Sequence, residues 1–405
     1  MNILFHHRTR GRGAEGVHIR GVVKGLRELG HKVAILSLPG ADPEDEELAT
    51  PKEVAIKANE NITVKIEKKS FLSKLASLTQ HLPEFVFEWV ELFFNVISYF
   101  RLRREVKEHN IACIYERYSL FLFASVWWAK RKGIPIVLEI NDSCLVHRVR
   151  HLTFRGLAQK IEKWIFSNAT GLVFISSHFQ RLATNAYPKI APSVVSPNAA
   201  DLDKFMINRD AGIALRNQLN INDKVVLGYV GAFVHWHGID WFVDMIVDHL
   251  KVHPKLVLLL VGDGVCFDAI KKRSQVAGVE QQIILPGRVE HAKIPAYLSA
   301  MDFGILPDSN DYGSPMKLFE FMAMEKGMVA PDFSPIAEVV KDNITSWLFP
   351  ANNRQACIDL TLSLVDQAEL QQQVGLNARS YIEKERQWRH NAEQIIDLFN
   401  KKVSL

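Results

Sequence analysis

The chain has 405 residues, 48% hydrophobic and 23% charged, a balance that can bury a substantial core. It excludes a disordered chain, a collagen-like chain and a small disulfide scaffold, and at ~100–200 residues per domain the length suggests two or three domains. The net charge of +4 is too mild to argue for nucleic acid, but residues 1–198 carry 28 Lys and Arg against 19 Asp and Glu, and the rest 21 against 26. A basic front half on an acidic back half suggests that the front meets something anionic.

In chain order, Ile3–Phe5 reads as a first strand, too short an apolar run before His6, His7 and Arg8 for a secretory signal, so a cytoplasmic location is expected. Gly11–Gly16 is a literal G-x-G-x-x-G leading into a helix over Val17–Leu29. It lies too far behind the strand for a dinucleotide fingerprint, and the second strand, Val33–Leu38, ends without the acid that would hold a ribose. What remains is general: Gly13 and Gly16 let backbone amides approach a phosphate at a helix N-terminus. Asp42–Glu47 reads as a solvated loop. Phe85–Phe100 is shorter than a membrane span and is broken by acids. Glu84, Glu88 and Glu91 fall on one side of a helix, leaving Phe85, Trp89, Leu92, Phe93 and Val96 on another, with Arg101, Arg103 and Arg104 following. That pattern suits a buried helix or one lying against anionic lipid.

Strands at Cys113–Tyr115, Ile134–Ile140, Gly171–Ile175 and Ser193–Val195 complete a first set. After Pro197-Asn198 a second set runs through Val225–Val230, Leu256–Val261, Gln282–Leu285, Phe303–Leu306 and Gly327–Ala330. Helices such as Gly238–His249, Ile294–Ala300 and Leu318–Met324 interleave, so the expected fold is α/β with two doubly wound domains. Sites are then expected outside the carboxyl ends of the strands, where the two domains face each other. Cys113, Cys144, Cys266 and Cys357 show no paired spacing, which argues for reduced thiols and no structural zinc. Asp201-Leu202-Asp203 matches a metal-chelating D-x-D but sits at the presumed hinge, where a structural role is expected. His6, His7, His18, His147 and His151 lie near presumed loops; His18, beside the glycine run, is the preferred proton carrier.

The segment 311–330 is the richest. Ser314-Pro315 starts a helix whose first turn holds Lys317, Leu318 and Phe319, where free amides and the helix dipole attract phosphate. Glu320 projects one turn in, close enough to accept hydrogen bonds from the hydroxyls of a ribose.

This stretch resembles the P-x-K-L-F-E-Y-M-A segment of GT-B glycosyltransferases of the family 4 type. Further pieces stand in the family's order: Leu29-Gly30-His31-Lys32-Val33, Val173-Phe174-Ile175-Ser176, Ser196-Pro197-Asn198, Gly228-Tyr229-Val230-Gly231, Trp236-His237-Gly238, Val261-Gly262-Asp263-Gly264 and Gly287-Arg288-Val289. Tyr115-Glu116-Arg117-Tyr118-Ser119 and Val137-Leu138-Glu139-Ile140-Asn141 resemble a bacterial polysaccharide-assembly branch.

The resemblance implies two Rossmann-like domains facing across a cleft: an acceptor domain over residues 1–198, and a donor domain over 199–380. A C-terminal helix at about 381–405 would cross back to the first domain. It implies a retaining transferase that moves a sugar from a nucleotide-diphosphate sugar, its co-substrate, to a lipid-linked or cell-surface saccharide such as a polyprenyl-pyrophosphate-linked acceptor. No metal, separate cofactor or nucleic acid is expected, and a place on the inner face of an anionic plasma membrane is. Glu320 would bind the ribose, Arg288 and Val289 would border the base, and Lys317, Leu318, Gly231, His237, Gly13 and Gly16 would surround the diphosphate; Asn141 and His18 are the catalytic candidates. The chain departs from the family at Tyr312, where an E-x7-E pair has its first acid, at Ala232 for an Arg, at His237 for a Lys and at Asn141 for a His. Lys317, and His237 if protonated, would restore positive charge. A silent nucleotide-sugar-binding protein and a sugar-nucleotide epimerase are the alternatives.

Overall fold

The computed structural model describes residues 1–9, 11, 13–38, 42–44, 84–146 and 152–401. Arg12 of the glycine run, residues 45–47 of the acidic run, and His147 and His151 lie outside the described residues. The chain divides into two units: Met1–Ile175, Phe179–Ser196 and Arg389–Leu405 form the first, and Ser176–His178 with Pro197–Trp388 the second.

The first unit is a six-stranded parallel sheet in the order β2-β1-β3-β4-β5-β6. Its elements are β1 (Asn2–His7), α1 (Gly13–Glu28), β2 (Lys32–Ser37), α2 (Glu84–Glu108), β3 (Cys113–Arg117), α3 (Ala124–Lys132), β4 (Ile136–Ile140), α4 (Arg155–Asn168), β5 (Gly171–Phe174), α5 (Ser177–Ala186) and β6 (Ser193–Val195). Parallel strands covered on both faces read as continuous apolar runs, and β4 and β5 are buried throughout. α1 begins at Gly13, four residues before the expected start, so four of the six residues of the glycine run are helix. A Cβ on Gly16 would stand 2.1 Å from the Gly11 carbonyl oxygen, so only glycine lets the loop fold onto the first turn.

α2 corrects the reading of its acidic side. Glu88 is buried, and its carboxylate accepts the Thr153 and Phe154 amides (2.5 and 2.8 Å) at the start of α4. Two turns on, Asn95 is buried as well: its Oδ1 accepts the Phe123 and Ala124 amides at the start of α3 (2.9 and 2.8 Å), and its amide donates to the Phe121 carbonyl. The inner face of α2 therefore satisfies the orphan donors of two neighbouring helices. Phe85, Trp89, Phe93 and Val96 stand exposed instead. No helix among the described residues is long and apolar enough to cross a membrane.

The second unit holds α6 (Arg209–Leu219), β7 (Val225–Val230), α7 (Ile239–Leu250), β8 (Leu256–Val261), α8 (Phe267–Ala277), β9 (Ile283–Gly287), α9 (Ile294–Ala300), β10 (Phe303–Ile305), α10 (Met316–Ala323), β11 (Met328–Pro331), α11 (Ser334–Ala337), β12 (Trp347–Phe349), α12 (Arg354–Ser363) and α13 (Ala368–Glu385). Its parallel sheet has the order β12-β11-β10-β7-β8-β9. From β7 the chain winds one way through β8 and β9, and from β10 the other way through β11 and β12. The switch point is therefore the β7–β10 pair, beyond whose carboxyl ends an open α/β sheet binds its ligands. Three-residue β12, with no apolar run long enough to mark it, is the strand that sequence reading misses; Trp347 pairs with Val329 of β11.

α14 (Trp388–Asn400) returns the chain to the first unit from Arg389 onwards, while α13 stays with the second. The side chain of Leu398 packs on Gly171 of β5, where even a methyl group would come within 3.2 Å of it. All four cysteines are free and buried. Asp201 of the D-x-D accepts the Asp203 amide on Oδ1 (3.2 Å), and its carbonyl accepts the Lys204 and Phe205 amides, so this acid shapes a turn.

Candidate functional site

In the second unit the site is built at the switch point. β7 ends in Val230 and the chain turns at Gly231, whose φ of +149° is one that L side chains rarely adopt. A Cβ there would lie 3.0 Å from Lys317 Nζ, and one on Gly262 would lie 1.8 Å from the Gly231 oxygen. Two glycines thus allow the β7 and β8 loops and the Lys317 side chain to share one small volume.

Lys317 reaches that volume from the first turn of α10. Pro315 precedes the helix in an extended conformation as its cap residue, and its fixed φ suits the entry. The approach to the helix is fastened from two sides. Ser176 Oγ donates to the Tyr312 carbonyl (2.7 Å), and the Asn198 amide and side chain bond to Ser314 Oγ and its carbonyl (3.0 and 2.5 Å). The short motifs around Ser176 and Asn198 thereby acquire a physical role.

Lys317 Nζ donates to Tyr229 Oη (3.0 Å) and lies 4.4 Å from the centre of that ring. Tyr229 Oη donates to the Ala232 carbonyl (2.8 Å), which also lies 2.9 Å from His237 Nδ1. Lys317 Nζ and His237 Nδ1 are 3.4 Å apart. Burial, and secondarily Lys317, push the imidazole down to about 4. His237 is therefore neutral near pH 7, so the protonation on which a second positive charge depends is disfavoured there. Burial also brings the Lys317 ammonium down to about 7, against the opposing pull of Glu320, and raises the Glu320 carboxyl to about 7, against the pull of Lys317. Among the described residues Glu320 accepts no hydrogen bond.

The other predicted donor-site residues are placed less directly. Leu318 is fully buried, and its amide, in the first turn of α10, donates to the Pro315 carbonyl (3.2 Å). Arg288 and Val289 follow directly on β9, at the carboxyl end of the sheet, Arg288 exposed and Val289 partly buried. The Gly262 amide donates to the Gly287 carbonyl and ties that loop to the β8 loop (3.0 Å). Tyr229, missed in the sequence, is what positions Lys317; its signal is an aromatic at the end of an apolar strand, one residue before Val230-Gly231.

In the first unit His18 and Asn141 meet on a buried carboxylate, Glu139. His18 Nε2 lies 2.7 Å from Glu139 Oε2, which also accepts Tyr115 Oη (2.9 Å). The Asn141 amide and Arg117 donate to Oε1 (2.8 and 2.7 Å). Burial alone would raise the Glu139 carboxyl; His18 and Arg117 outweigh it and hold the group at about 2. Gly13 and Gly16 open α1, the helix that carries His18. His6 Nδ1 is engaged by Glu116 (2.6 Å), and His7 by Ser37 and Thr9; burial and then His6 lower His7 to about 4. These two histidines are structural partners of their neighbours.

Metal-ligating side chains come together at His235, whose Nδ1 lies 2.6 Å from Asp240 Oδ2 and 3.5 Å from Cys266 Sγ, and at Glu105, Glu108 and His109.

Comparison with known proteins points one way. Residues 15–204 match the model described as Glycosyltransferase Family 4, and residues 224–367 that described as Glycosyl transferases group 1. The chain is 24% identical over 288 residues to an uncharacterized glycosyltransferase of Methanocaldococcus jannaschii, covering 70% of this chain and 72% of that protein. It is 20% identical over 303 residues to the GDP-mannose-dependent alpha-(1-6)-phosphatidylinositol monomannoside mannosyltransferase of Mycobacterium tuberculosis, covering 73% and 78%. In fold it resembles HepE of Anabaena in complex with UDP, with a TM-score of 0.71 at 16% identity over 99% of this chain and 100% of that one.

Proposed function

Since the chain belongs to the family 4 and group 1 glycosyltransferases, with the α/β GT-B fold, we propose that it is a retaining, metal-independent enzyme that moves a sugar from a nucleotide-diphosphate sugar to a lipid-linked or cell-surface saccharide. Polysaccharide assembly at the cytoplasmic side of a membrane is the setting that fits such an acceptor.

The observation that carries this reading is the convergence of Lys317, Tyr229 and Gly231 at the switch point of the second sheet. As the sugar bond breaks, negative charge builds on the departing diphosphate, and a fixed cation beside backbone amides stabilises it. Lys317 takes that role, while Glu320, one turn further along α10, accepts the ribose hydroxyls. Arg288 and Val289 border the base, and Gly231 leaves room for the phosphates. In the first unit, His18 and Asn141 are assigned to the reacting sugar and acceptor, oriented by Glu139. The relatives act on, or were crystallised with, GDP-mannose and UDP, which supports a nucleotide-diphosphate donor.

Calorimetric titration of UDP and GDP into the wild type, Lys317→Ala and Glu320→Gln tests the donor site. At least tenfold weaker binding in both variants is expected, and equal affinity in all three overturns the assignment. Incubation with nucleotide sugars and no acceptor should give slow hydrolysis. An epimerised nucleotide sugar would instead favour the epimerase.

A further inference from the structure

α2, α3 and α4 pack side by side in the first unit, with Trp89 of α2 against Phe154 at the start of α4 and Tyr99 of α2 against Trp127 of α3, ring centres 6.1 and 6.0 Å apart. Phe85, Trp89, Phe93, Val96 and Phe100, spaced at helical intervals along α2, are 48 to 62% exposed. Trp127, Leu157 and Trp164 continue the exposed apolar surface onto α3 and α4. Between those two helices opens a groove of about 480 Å³ lined by Phe123, Trp127, Lys160, Ile161 and Trp164. An apolar surface of this extent on a folded unit marks an interaction site.

Its charge selects the partner. Every charged residue exposed on α3 and α4 is basic, and Arg101, Arg103 and Arg104 stand exposed at the end of the aromatic stripe on α2. Arg131 lies over the Trp127 ring at 4.9 Å. Aromatics flanked by basic side chains suit the boundary between headgroups and acyl chains of an anionic bilayer.

We propose that the solvent faces of α2, α3 and α4 form one membrane-docking surface for an anionic bilayer, with the α3–α4 groove receiving a lipid hydrocarbon chain. The proposal deepens the reading of a lipid-linked acceptor by naming the surface that carries the enzyme to it.

The test is cosedimentation of the full chain with phosphatidylcholine vesicles, with and without phosphatidylglycerol, in the absence of nucleotide sugar and acceptor. Binding to the phosphatidylglycerol vesicles and at least tenfold weaker binding to phosphatidylcholine alone are expected. The exposed pair Phe93→Ser with Phe100→Ser should weaken anionic-vesicle binding at least tenfold. Arg101→Glu and Lys160→Glu should each weaken it about fivefold or more, an effect that salt reduces. Thermal unfolding of the first unit, read by calorimetry, and nucleoside diphosphate affinity should both be unchanged in every variant, which separates lost docking from lost folding. No binding, equal binding to both vesicles, or wild-type binding by the variants overturns the proposal. So does a wild-type dimer that the Phe93 and Phe100 changes make monomeric, because the surface would then be an interface between copies. If vesicles bind but nucleotides do not, only the catalytic reading falls.

Discussion

Lys317 and Glu320 stand about one turn apart on α10, with both groups brought to about 7 by burial. Diphosphate attraction needs the lysine charged, which holds below about 7, and hydrogen bonding to a ribose is strongest with the glutamate ionised, which holds above it. Nucleoside diphosphate affinity should therefore peak near pH 7 and fall by up to tenfold per unit on the alkaline side. Calorimetry from pH 5.5 to 9 checks this; Glu320→Gln should remove the acid limb and, with the pull of Glu320 on Lys317 gone, move the alkaline limb to lower pH. Gly231→Ala should cost at least tenfold in affinity, since the new Cβ would stand 3.0 Å from Lys317 Nζ at a φ of +149°. In the first unit, the Glu139 carboxyl sits at about 2 against an ordinary 4.5. A depressed folded pKa stabilises fully above the ordinary value and is lost as pH falls towards 2, on the order of 3 kcal/mol here. Thermal unfolding between pH 5 and 2.5 should show that slope in the wild type and a flatter one in Glu139→Gln. Lys317 and Glu320 were legible because a helix start announces its own chemistry. Glu139 was not, because an acid inside the run Ile136–Ile140 reads as a strand residue until Arg117, its register partner on β3, is seen beside it.

At the scale of elements, α2 shows where periodicity stops being informative. Glu88 and Glu91 do segregate from the exposed aromatics, yet which side meets water depends on what the polar side chains bind. Glu88 is consumed by two amides at the start of α4, and Asn95 by two at the start of α3. Those contacts hold Glu88 and Asn95 buried while the aromatic side chains of Phe85, Trp89 and Phe93 face outward. Glu88→Ala should destabilise the first unit by about 1–3 kcal/mol, read by denaturant unfolding, and leave nucleotide affinity unchanged. The strands were easier. Apolar runs such as Leu256–Val261, buried at every residue, leave little choice of element, and the glycine-bounded turns after β7 and β8 mark their ends.

For the whole molecule, the division into two doubly wound sheets was legible because the strand pattern restarts after Pro197. That the first unit is completed by residues from the far end of the chain came from the family resemblance and not from any periodicity in residues 388–400. Ala392, Ile395, Leu398 and Phe399 of α14 are buried. A chain ending at Glu385 should therefore lose cooperative unfolding of the first unit while the second keeps its nucleoside diphosphate affinity, a combination that calorimetric melting with and without nucleotide resolves. The neighbouring pair on α10 has a further thermodynamic consequence. A lysine poised at about 7 is only partly charged in the free protein, and an arriving diphosphate must complete its charge by drawing a proton from the buffer. Ligand association is then coupled to proton uptake, so its heat near pH 7.5 should track the ionisation enthalpy of the buffer chosen, with a positive slope that Lys317→Ala abolishes.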